Sequence, residues 1–173
     1  MKKIVTVSLV SCLAIASPIQ AVADMYIGVD GASMSINSTQ NDDLNPLGLR
    51  LRMGVRLNDF FDIEAHLGGG SDTESVSYDS FSTSFASALL KGYLPFGQKS
   101  AVFGLVGLSS LTHSQDINGR TFTDSQSGFS YGIGMETQLS SRVDLSADLM
   151  RYSADGAEFS DVTAVSFGLK WYF

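Results

Sequence analysis

His113 stands beside Ser114, with Ser110 just upstream and Glu136 further along the chain. A histidine that takes a proton from a hydroxyl, itself oriented by an acid, is the arrangement behind nucleophilic attack. Such a set works only if its members meet. Neighbouring residues on an extended strand point to opposite faces, so His113 and Ser114 do not share one. The plainer reading places His113 at a strand–loop junction and His66 as interior filling. The chain has two histidines, too few to suggest a dedicated metal site. No loop carries the D-x-D-x-D-G spacing of a calcium site. No cofactor is expected.

A second kind of chemistry is written more densely. In LGLRLRMGVRLND, residues 47 to 59, Arg50, Arg52 and Arg56 alternate with Leu49, Leu51, Met53, Val55 and Leu57. One face is apolar and the other strongly cationic, in a chain whose net charge is −7. Guanidinium groups in that position call for carboxylate partners.

The first residues are an address and not part of the fold. Lys2 and Lys3 precede the mostly apolar run from Ile4 to Ala16, and Ala21-Val22-Ala23 offers a cleavage site before Asp24. Residues 1–23 therefore read as a secretory signal peptide cleaved after Ala23, with 24–173 as one domain. An N-terminal core helix would leave the small-residue site unexplained. Leu9-Val10-Ser11-Cys12 looks like a lipoprotein box, but the apolar run before it is very short. Cys12 is the only cysteine, so a chain starting at Asp24 cannot rely on disulfides after export. Loss of Lys2 and Lys3 leaves nine basic against eighteen acidic side chains. That balance argues against nucleic acid as a partner.

Period-two alternation dominates the rest. Eight strands are expected, near 25–34, 47–57, 61–70, 84–94, 101–111, 129–139, 142–149 and 162–173. Three connections are tight, at Leu57-Asn58-Asp59, at Pro95 to Ser100 and at Ser140-Ser141. Four are longer and polar, near 37–46, 71–82, 112–127 and 153–161. Short turns at one end and longer loops at the other are the plan of an eight-stranded antiparallel up-and-down transmembrane β-barrel. A bulge is expected between Met150 and Tyr152, and the faces of 101–111 stay open.

A soluble barrel would place its apolar residues inside. The glycines decide against that. Gly54 shares a face with Arg52, Gly68 with Glu64, Gly132 and Gly134 with Glu136, and Gly168 with Lys170. Small residues belong on the crowded concave side, so the charges point in and the leucines meet lipid. The expected interior network sets Arg50, Arg52, Arg56, Lys91, Arg142 and Lys170 against Asp30, Asp62, Glu64, Glu136, Asp144 and Asp148. Arg56, Asp62, Arg142 and Asp144 lie nearest the short turns. Trp171, Tyr131 and Phe61 suit interfacial girdles.

These residues resemble the eight-stranded OmpA-like or opacity-protein-like outer-membrane barrels. The resemblance rests on the last strand ending Trp171-Tyr172-Phe173, on Val55-Arg56-Leu57-Asn58-Asp59-Phe60-Phe61 with Ile63-Glu64-Ala65, and on Lys91-Gly92-Tyr93-Leu94-Pro95. It implies residence in a Gram-negative outer membrane. It also implies that Phe167, Leu169, Trp171 and Phe173 form the signal read by the barrel-assembly machinery. No peptidoglycan-binding domain, as carried by larger relatives, is expected.

Activity follows less directly, because this fold hosts adhesins, resistance factors, enzymes and stabilising proteins. The loops carry Asp42, Asp43, Asp72, Glu74, Asp79, Asp116, Asp124, Asp155, Glu158 and Asp161 against Arg120 as the clear cation. The first expectation is a non-enzymatic surface protein in adhesion, colonisation or envelope integrity, with outer-membrane lipids, lipopolysaccharide and an extracellular ligand as partners. The plain alternative is that acidic loops only keep the surface solvated. Lipid A deacylases of similar fold suggest an enzyme, but their His-x-Ser spacing is broken here by Gln115. A narrow pore is the third reading, disfavoured because eight strands leave an interior only wide enough for side chains.

Overall fold

The computed structural model describes residues 24–38, 46–72, 80–117, 120–153 and 159–173. Eight antiparallel strands follow in order: β1 (Met25–Ser38), β2 (Leu47–Asn58), β3 (Phe61–Asp72), β4 (Ser80–Phe96), β5 (Ser100–Ile117), β6 (Arg120–Ser140), β7 (Val143–Ser153) and β8 (Phe159–Tyr172). Each pairs with its neighbour, and β8 returns to β1 to close the barrel. Closure leaves the wall without a free edge, as a hydrocarbon environment requires.

The wall is apolar outside. Leu49, Ile133, Phe167 and Phe173 are among its most exposed side chains, at 68%, 68%, 61% and 77%. Arg50 and Arg52, on the face of β2 opposite Leu49, are at 1% and 0%. Phe60, Phe61, Phe96, Trp171 and Phe173 are all exposed near the short-turn end. Tyr131 instead stacks loosely on Phe129 towards the loop end. There the outer face changes to Ser82, Ser84, Ser110, Ser125 and Ser127. That change from aliphatic to hydroxyl marks the end of the lipid-facing band.

The glycines of the concave face have a steric cause. A Cβ at Gly134 would lie 2.6 Å from the Ala147 carbonyl oxygen, and one at Gly68 would lie 2.6 Å from the Phe85 ring. Cross-strand neighbours in that curved wall leave no room for a side chain.

Several expectations need correction. Strands β4, β5 and β6 run well past the limits read from alternation, and β5 reaches Ile117 while β6 starts at Arg120. Ser, Thr and Asp on both faces give no period-two signal, yet these residues still pair. For the same reason Asp72 and Asp161, expected in loops, lie in the ladders opposite Phe81 and Ser153. Asp116 and Asp124 lie in β5 and β6. No bulge occurs at Met150–Tyr152. The register shifts instead between Gln138 and Ser140, between Arg56 and Asn58, and between Ile36 and Ser38. Met150 and Tyr152 face inward and Arg151 outward. In 101–111, Phe103, Leu105, Ser109 and Leu111 are inside. The leader and its cleavage site, with Asp42, Asp43, Glu74, Asp79, Asp155 and Glu158, lie outside the described residues.

Towards the loops the interior is apolar, built from Met34, Phe85, Leu111, Met150, Tyr152 and Val162. The lumen is ionic only over its middle and its short-turn half, so inner and outer faces of the upper wall look alike in sequence.

Candidate functional site: the charged lumen

The network is built on alternate positions of β1, β2, β3, β4, β6, β7 and β8. On β2, Arg50 donates from Nε to Asp30 at 2.8 Å and forks Asp148 with its two terminal nitrogens at 2.9 and 2.5 Å. Arg52 donates to Asp30 and to Ser146 Oγ, both at 2.5 Å, and its other terminal nitrogen lies 3.9 Å from Glu64. Lys91 reaches Glu64 at 3.4 Å and Glu136 at 3.1 Å. Lys170 takes Glu136 at 2.5 Å and Asp144 at 3.8 Å. The contacts thus run from Asp148 on β7 across the lumen and back to Asp144 on the same strand.

Below this chain Arg56, partly open at the short-turn mouth, lies 3.5 Å from Asp62. Its guanidinium also sits over the rings of Tyr93 and Tyr172, 5.4 and 5.1 Å from their centroids.

Arg142 is the exception among the expected members. It lies exposed in the turn between β6 and β7, outside the network. A turn residue is free to point at water, and alternation continued one residue too far placed it inside. Five Lys and Arg therefore meet six carboxylates. The deficit is offset by neutral donors. The Tyr26 hydroxyl lies between Asp62 and Glu64 and shares its one proton with them, Tyr93 donates to Asp62 at 2.5 Å, and His66 Nε2 is 2.6 Å from Glu64. β5 contributes no charged side chain at 100–112; its Phe103 ring lies 3.8 Å under the Lys91 ammonium.

Sequence reasoning did not single out Tyr26, Tyr93 or the His66–Glu64 contact. The usable signal was parity. Tyr26 is four residues from Asp30 on β1, Tyr93 two from Lys91 on β4, and His66 two from Glu64 on β3.

The residues suited to nucleophilic chemistry do not converge. The ladder sets His113 opposite Asp124, whereas Glu136 faces Ala101. Those rungs are about 40 Å apart at ~3.3 Å per residue. Ser110 is exposed on the outer wall, and the His113 side chain lies outside the described residues. His66 does stand in register with Ser87. Both of its ring nitrogens are engaged, by Glu64 and, at 3.4 Å, by Tyr152, and the ring is fully buried. Ser87 instead accepts a hydrogen bond from Ser109. His66 is thus held within the network of the lumen. Among the described residues no group of His, Cys, Asp and Glu is arranged to hold a metal.

Comparison with known proteins agrees with this architecture. The profile of the outer membrane protein β-barrel domain matches residues 5–173. No curated protein matches the sequence. Among solved structures, Neisserial surface protein A is 19% identical with a TM-score of 0.74, covering 86% of this chain and 97% of that one. The attachment invasion locus protein Ail of Yersinia pestis is 16% identical with a TM-score of 0.68, over 87% and 99%. OprG of Pseudomonas aeruginosa is 11% identical with a TM-score of 0.65, over 87% and 96%. At such identities the likeness is one of fold. With an apolar wall, a charged lumen, eight closed strands and a family profile over nearly its whole length, the chain belongs to the outer-membrane β-barrel family and resides in the bacterial outer membrane.

Proposed function

We propose that the protein is a non-enzymatic surface protein acting in adhesion, colonisation or envelope integrity through its loop end. The observation that carries this reading is the projection of β4, β5 and β6 beyond the lipid-facing band. β7 leaves β6 at the Ser130–Tyr152 rung, while β6 continues to Arg120 and pairs with β5 as far as Ile117. A stiff sheet raised above the membrane, on a lumen filled with locked charges, suits contact with an outside partner better than passage or turnover. The signal peptide at 1–23 and an assembly signal at Phe167, Leu169, Trp171 and Phe173, read by the barrel-assembly machinery, belong to the same reading.

The acidic loops point to a basic partner, or to lipopolysaccharide phosphates bridged by divalent cations. The structural relative Ail has been solved with the heparin analogue sucrose octasulfate. An acidic crown would repel such a polyanion, so the partner of this chain differs in charge. The test compares the folded barrel with a version shortened within 37–46, 71–82, 112–127 and 153–161, against lipopolysaccharide, matrix proteins and host cells. Binding by the intact barrel and none by the trimmed one is expected. Equal binding by both overturns the reading, as does ester turnover of lipid A that His113→Ala abolishes.

A further inference from the structure

Most glycines in the barrel have no room for a side chain. Three on the outer wall do: Gly31, Gly92 and Gly104. Gly92 and Gly104 are partners across β4 and β5. A Cβ at Gly104 would meet nothing nearer than the Gly132 carbonyl oxygen at 4.0 Å, and one at Gly92 would touch only the Phe61 ring and the Phe60 carbonyl oxygen, no nearer than 3.5 Å. The fold therefore does not require glycine at either position. What their smallness produces is a trough in a wall that is otherwise bulky.

The trough has a volume of about 670 Å³ and is walled by Leu94, Val102, Ile133, Met135, Leu149 and Val165. A second hollow of about 150 Å³ shares Met135 and Ala147 with it and continues to Phe96, Ser100 and Leu145. Together they run down the lipid-facing side to the rim of short turns. There the wall changes character. The turn joining Phe96 to Ser100 carries Lys99, and the turn before Leu145 carries Arg142, both exposed. Their turns are neighbours, since the amide of Gln138 on β6 donates to the Lys99 carbonyl at 2.7 Å. All the other Lys and Arg side chains described are in the lumen except Arg151, at the far end of the wall.

We propose that this trough is a binding site for one anionic glycerophospholipid of the periplasmic leaflet. An acyl chain lies over Gly92 and Gly104, and the phosphate reaches Lys99 and Arg142. The apolar channel sets the orientation and the two cations select the headgroup charge. Ordinary annular lipid needs neither a trough nor a pair of cations at one end of it. The site has no part in the extracellular contacts proposed above, so either can fail alone.

Native mass spectrometry on the mature barrel, folded in micelles containing equal phosphatidylglycerol and phosphatidylethanolamine, tests this. The intact barrel is expected to retain one phosphatidylglycerol in preference to phosphatidylethanolamine. Gly104→Leu fills the trough at a position with space for it and should lower retention about fivefold. Gly31→Leu is the control, because Gly31 also faces outward with nothing within 4 Å of its Cβ position, off the trough; its retention should be unchanged. Lys99→Gln with Arg142→Gln should lower the preference for the anionic lipid roughly tenfold. Full retention in Gly104→Leu overturns the proposal. So does equal loss in Gly31→Leu, or a headgroup preference that survives removal of both cations.

Discussion

Arg50 grips Asp148 through two donors at once, at 2.9 and 2.5 Å, across the lumen from β2 to β7. Its third donor holds Asp30 on β1. One planar cation therefore fixes three strands that the chain visits in no continuous order. Lysine presents a single point charge and cannot reproduce that fork.

Arg50→Lys is accordingly expected to lose stability, and Arg50→Ala to lose more, of order 3–5 kcal/mol, because buried Asp148 loses the fork that holds it and Asp30 keeps only Arg52. Equilibrium urea unfolding in micelles, followed by the fluorescence of Trp171, measures both. An Arg50→Ala barrel as stable as the parent would show that these pairs contribute nothing net.

Glu136 supplies the clearest test of coupling. It lies between Lys91 at 3.1 Å and Lys170 at 2.5 Å. Removing its charge leaves two buried ammonium groups facing each other, with Lys170 reduced to Asp144 at 3.8 Å. Glu136→Gln should therefore cost about 3 kcal/mol or more. Lys170→Met in the Glu136→Gln background should restore part of that loss, since it removes the surplus cation. A double-mutant cycle reads the coupling directly. Purely additive losses would mean that the two groups do not sense one another.

Arg50, Arg52 and Glu64 were readable in the sequence because charge, glycine and parity agreed on one face. The loop half was not readable. Phe85, Leu111 and Met150 face inward, yet they are of the same types as the lipid-facing Phe167, Leu108 and Met135. Hydrophobicity cannot tell two greasy environments apart. The tyrosines escaped for a related reason, since Tyr26 presents an apolar ring and a hydroxyl, and only its place between Asp62 and Glu64 shows which part matters. The sheet above the membrane was hidden because Ser and Thr on both faces carry no period.

The C-terminal strand separates assembly from stability. Phe173 is 77% exposed, and its amide donates to the Met25 carbonyl at 3.1 Å across the β8–β1 seam. That backbone bond does not use the Phe173 side chain. Phe173→Ser should slow insertion by the assembly machinery in cells, while refolding of the purified chain into micelles still reaches the same barrel. A variant that inserts in cells at the parental rate would remove Phe173 from the assembly signal.

Two different obstructions lie in series along the lumen, and this decides how the barrel conducts. Towards the loops, Phe85 and Tyr152 stack with ring centroids 4.7 Å apart among Met34, Leu111 and Met150. Further down, Arg52, Glu64, Lys91 and Glu136 bridge the interior. An apolar constriction excludes ions because it does not hydrate them, and a salt-bridged layer excludes them by filling the space. Opening one leaves the other in place. Single-channel recording in planar bilayers should therefore find no steady conductance for the parent, and little change for Phe85→Ala alone or for Arg52→Ala with Glu64→Ala alone. Combining the three substitutions should produce a measurable current. A steady current in the parent barrel, or in either partial variant at the level of the combined one, would show that the obstructions do not act independently.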